Sequence, residues 1–90
     1  MQDIVLIQYG DDPYTYLVEQ IPGLILARVG FGDSHWWVLL AVGDPMFTQE
    51  QEHYAQQMMR RYGLDAQRFD QPHQAAVALH KALEKEEQSS

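Results

Sequence analysis

The chain contains no cysteine and no asparagine, and its only serines are Ser34, Ser89 and Ser90. Without cysteine there is no disulfide, no zinc-thiolate site and no thiol nucleophile, so a small core must be stabilised by burial alone. Scarce serine removes most hydroxyl-nucleophile arrangements as well. Positive charge is equally thin. Six Lys and Arg stand against 13 Asp and Glu, a formal charge of −7, which opposes any partner held through its phosphates. Direct nucleic-acid binding is therefore not expected. The longest unbroken apolar run, Trp36 to Val42, is seven residues. A membrane span needs about 20, and a secretory leader needs positive charge that Met1-Gln2-Asp3-Ile4 lacks. The expectation is a cytoplasmic protein with no membrane partner.

What is present is ordinary globular material. Of 90 residues, 46% are hydrophobic and 21% charged, enough apolar content for one core and too short a chain for two. A single domain is expected over residues 1–86, with 87–90 as a frayed tail.

Ile4-Val5-Leu6-Ile7, ended by Tyr9-Gly10-Asp11-Asp12, reads as a buried strand. Asp12-Pro13 then offers an N-cap and a first-turn proline, and Tyr14, Leu17, Val18 and Ile21 recur at helical spacing. These favour a short helix over 13–21; strand is the competing reading, because Tyr, Thr and Val suit strands. Residues 24–31 and 36–42 read as a hairpin about Gly32-Asp33-Ser34-His35. Thr48 and Gln51 form a capping box, and Tyr54, Ala55, Met58, Met59 and Tyr62 line the apolar face of a helix that Gly63 stops. Residues 66–69 suit a short edge strand. Asp70-Gln71-Pro72 caps a last helix with the stripe Ala75, Ala76, Leu79 and Leu83.

The order β-α-β-β-α-β followed by a helix is that of an α+β, two-layer split-βαβ (ferredoxin-like) fold with an extra C-terminal helix. In that fold residues 4–7 and 36–42 form the central strands. A short repeat, Gly10-Asp11-Asp12-Pro13 and Gly43-Asp44-Pro45, suits its two halves. Residues 36–42 are apolar on both faces, so one sheet face needs cover from the C-terminal helix, from a second copy or from a foreign partner. A homodimer is the preferred expectation.

Chemistry-bearing patterns are sparse. Ser34 beside His35 has no third orienting residue, and neighbours on an extended chain point to opposite faces. The four histidines, at 35, 53, 73 and 80, show no i, i+4 pair, so neither a metal nor a cofactor is expected. The acid, by contrast, is unevenly distributed. Residues 1–45 carry six carboxylates against Arg28 alone, a net of −5, and residues 46–90 carry a net of −2. Asp11, Asp12 and Asp44 are expected at one end of the sheet, after parallel strands. Together with Asp33, His35 and Trp36 they form the candidate partner-binding set, with carboxylates to steer and aromatics to anchor. The functional expectation is a small acidic, non-enzymatic protein-interaction module of the inhibitor, immunity or antitoxin-like, or adaptor kind, occluding a basic surface on a partner macromolecule. The alternative is a dimeric ligand-sensing regulatory domain of the ferredoxin-like class.

Overall fold

The computed structural model describes residues 3–41 and 47–89. Strands β1 (Leu6–Tyr9), β2 (Asp12–Val18), β3 (Leu24–Phe31) and β4 (Ser34–Ala41) come first, then helices α1 (Gln49–Tyr62) and α2 (Pro72–Ser89), with a 3-10 turn at Leu64–Ala66 between the helices. The strands form one antiparallel sheet in the order β1-β2-β3-β4. The α+β class and the two-layer build, a four-stranded antiparallel sheet carrying two helices, agree with the sequence reading. The order of the elements differs.

The difference starts at residues 13–21, where a strand stands in place of the expected helix. Tyr16 and Val18 pack inward and Thr15 and Leu17 point outward, so period two prevails over the helical spacing. Asp12 caps a bulge rather than a helix: its Oδ1 accepts from the Tyr14 N–H at 2.9 Å and its Oδ2 from the Thr15 hydroxyl at 2.9 Å. The β1–β2 register passes from Gln8↔Tyr16 straight to Tyr9↔Asp12. Pro13 falls in this irregularity, where its missing N–H costs no ladder bond.

Without that helix the chain turns back on itself three times, and the sheet becomes a meander. The runs 4–7 and 36–42, expected at the centre, therefore fall, as far as they are described, at the two edges with β1 and β4, and β2 and β3 are central. Phe69 partly covers that edge: Trp37 N–H donates to Phe69 O at 2.7 Å, and Phe69 N–H to Trp37 O at 2.9 Å. The edge strand expected over 66–69 is reduced to this one bridge.

The helices follow their local signals. Thr48 and Gln51 make both halves of the capping box, and Gly63 closes α1 at φ 65°. At the start of α2 the Gln74 side chain reaches back, accepting from the Asp70 N–H at 2.8 Å. The buried stripe of α2 is Ala75, Leu79 and Ala82, leaving Ala76 and Leu83 half-buried, and the helix runs on through Ser89, past the expected fraying point. Glu86 ties the helices together, pairing with Arg61 and accepting from the Tyr62 hydroxyl at 2.7 Å.

Both helices pack on the sheet face that carries Val18, Leu24, Leu26, Trp37 and Leu39. Of the three candidate covers for the other face, α2 is excluded, since it does not cross; the Arg68 guanidinium lies over Trp36 there, and no helix among the described residues packs on it.

Candidate functional site

The β1–β2 and β3–β4 turns use the same chemistry. Tyr9-Gly10-Asp11-Asp12 and Phe31-Gly32-Asp33-Ser34 each place an aromatic residue, a glycine and an aspartate in sequence, with Gly10 at φ 57° and Gly32 at φ 64°. A glycine at the first loop position of a two-residue hairpin supplies the positive φ that matches strand twist. In a meander both turns emerge at the same end of the sheet, about 10 Å apart at two strand spacings. That end is acidic and aromatic. Asp11 and Asp33 are exposed, and Phe31, at 90% exposure, is the most exposed large hydrophobic side chain among the described residues.

The six residues singled out from the sequence are not all brought together. Asp11, Asp12 and Asp33 share the turn end, but both oxygens of Asp12 are engaged in holding its own bulge. His35 and Trp36 are consecutive in β4 and so project from opposite faces. His35 lies beside Gly30, so close that a Cβ built there would stand 2.7 Å from the imidazole Cδ2. Trp36 lies on the uncovered face, with the Arg68 guanidinium 4.6 Å from its ring centroid. Asp44 lies outside the described residues; β4 ends at Ala41, paired with Leu24 at the end of the sheet opposite the two turns. Sequence reasoning missed Phe31 as an anchor. Its signal was the repeated aromatic-Gly-Asp string.

Ser34 and His35 diverge in the same way and do not form a nucleophile–base pair. Among the described residues no group of three or more His, Asp or Glu is placed to hold a metal ion. His80 pairs with Glu84 at 2.9 Å within its own helix. No helix among the described residues is long and apolar enough to cross a membrane.

The second notable surface is the uncovered sheet face. Ile7, Leu17, Ile25 and Leu40 pair in turn across all four strands. Beside this row run Thr15, Ala27 and Val38, then Val29 and Trp36. No residue in these rows is charged. Ile7 is 45% exposed, Leu40 42% and Val5, at the margin, 42%.

Comparison of the chain with protein-family models, curated proteins and solved structures finds no match.

Proposed function

We propose that this chain is a small protein-interaction module that engages a basic surface on a partner protein through its turn end. The observation that carries the reading is the side-by-side placement of two Gly-Asp turns with exposed carboxylates and with Phe31, 90% exposed, beside them in the chain. An aromatic group left in water at a tight turn adds nothing to the fold. Against a partner it supplies an apolar anchor that can be fully desolvated, while carboxylates around it steer a basic surface into register. The overall charge of −7 acts in the same direction at longer range. Binding of this kind occludes the partner's basic site, as an inhibitor, immunity factor or adaptor does.

The test compares the wild-type chain with a triple variant, Asp11→Asn, Asp33→Asn and Phe31→Ala, as immobilised baits at low salt. Proteins retained by the wild type and lost by the variant are then titrated directly by calorimetry. The expected result is a basic protein whose affinity falls at least about 100-fold in the variant, the usual loss when a hot-spot anchor and its charges go. If every retained protein binds both baits equally, the turn end is not the binding surface.

A further inference from the structure

We infer that the uncovered sheet face is the interface of a homodimer, packed against the same face of a second copy of this chain. The inference goes beyond the partner reading and uses a surface that adjoins the turn end, where Phe31 follows Val29 on the same face of β3. Four strands of 4, 7, 8 and 8 residues, about 4.8 Å apart and rising about 3.3 Å per residue, cover on the order of 400 Å² in plan. Side-chain relief and marginal residues such as Val5 bring this toward the roughly 800 Å² per partner of a standard interface. The face is one continuous patch rather than scattered apolar residues, and it matches in size the largest patches of monomers, which are often functional.

Charge decides between occupants. The rows of Ile7, Thr15 and Val29 contain no charged side chain of their own, and the one charge that lies against them, Arg68 over Trp36, is positive, so they offer nothing to a basic partner, whose natural contacts are Asp11 and Asp33. A two-fold interface requires one patch to complement itself. A mostly aliphatic face does so at once, because dispersion contacts and water release need no opposite sign. Sheets stack face to face at about 10 Å with aliphatic side chains interdigitating, and Leu17, Ile25, Val38 and Leu40 are of that kind. The result is a four-layer particle, with the two sheets inside and the helices outside.

The experiment is sedimentation velocity on the wild type, on Ile25→Glu and on Ala27→Cys. The wild type should sediment at twice the 10.4 kDa chain mass. Glu at position 25 would bury two unpaired carboxylates in the dimer and should raise its dissociation constant at least about 100-fold, with unchanged far-UV circular dichroism. Because the chain has no cysteine of its own, a thiol at position 27 is unique, and its alkylation should slow as protein concentration rises. That second readout stands even if the charged variant fails to fold. A wild type that remains a 10.4 kDa species up to about 100 μM, far above the dissociation constant of a standard-sized interface, overturns the inference. So does alkylation at position 27 that is independent of concentration, or a dimer that survives Ile25→Glu.

Discussion

Gly30 shows how a single missing atom shapes the turn end. A Cβ there would come within 2.3 Å of the Ser34 carbonyl oxygen and 3.0 Å of the His35 Cα. Both are backbone atoms of the paired strand, which cannot swing aside as a side-chain tip can. Gly30→Ala should therefore lower stability by roughly 2 kcal/mol, the range for overpacking against fixed atoms, and chemical denaturation measures it. A loss below about 0.5 kcal/mol, the size of an ordinary surface change, would mean that the hairpin tolerates displacement. None of this closeness is legible in the sequence, where Gly30-Phe31-Gly32 reads only as glycines near a turn. The Gly10-Asp11 loop is more legible in the sequence. Gly-Asp between strand-like runs is a hairpin signal in its own right. It was outweighed by Asp12-Pro13, a pair that begins helices and also fits an Asp-capped bulge.

Among the elements, α1 was read nearly complete because everything that specifies it is local: the Thr48–Gln51 box, the stripe of Ala55, Met58 and Met59, and the Gly63 stop. Strand β2 was not, since what decides it lies outside it. Leu17 pairs with Ile7 on one side and Ile25 on the other, and those partners outweigh the helical spacing of Tyr14, Leu17, Val18 and Ile21. The joint between α1 and α2 was equally hidden, because Glu86 meets Arg61 and Tyr62 from 24 to 25 residues away. The hydrogen bond from Tyr62 and the Arg61 guanidinium beside it hold the Glu86 carboxyl below the usual glutamate range. A carboxylate favoured in the folded state adds stability above the ordinary glutamate pKa and loses it as pH falls through the folded value. Glu86→Gln should thus melt below the wild type at neutral pH, and the gap should be smaller at a pH below the ordinary glutamate range, where the wild-type carboxyl begins to take up its proton. An equal gap at both pH values would show that the carboxylate charge contributes nothing to the joint.

At the scale of the whole molecule, the sequence showed that residues 36–42 are apolar on both sides, and that observation survives although the strand's position does not. What it could not show was which face the helices take, since that depends on the phase of α1 and α2 against the completed sheet. The structure leaves two surfaces of different physical character on one chain: an acidic turn end and a sheet face whose own rows carry no charge. Salt separates them. Two copies carrying −7 each repel, and with a Cα radius of gyration of 12.8 Å their charges approach within a few Debye lengths at low ionic strength. Going from about 0.05 M to 0.5 M salt removes on the order of 1.5 kcal/mol of that repulsion, so self-association should tighten roughly tenfold. Salt screens an attraction at the turn end instead, so binding of a basic partner should weaken over the same range. Sedimentation and calorimetry on one preparation read both trends. If self-association weakens with salt as well, charge pairs hold the copies together, and the sheet face is not their interface.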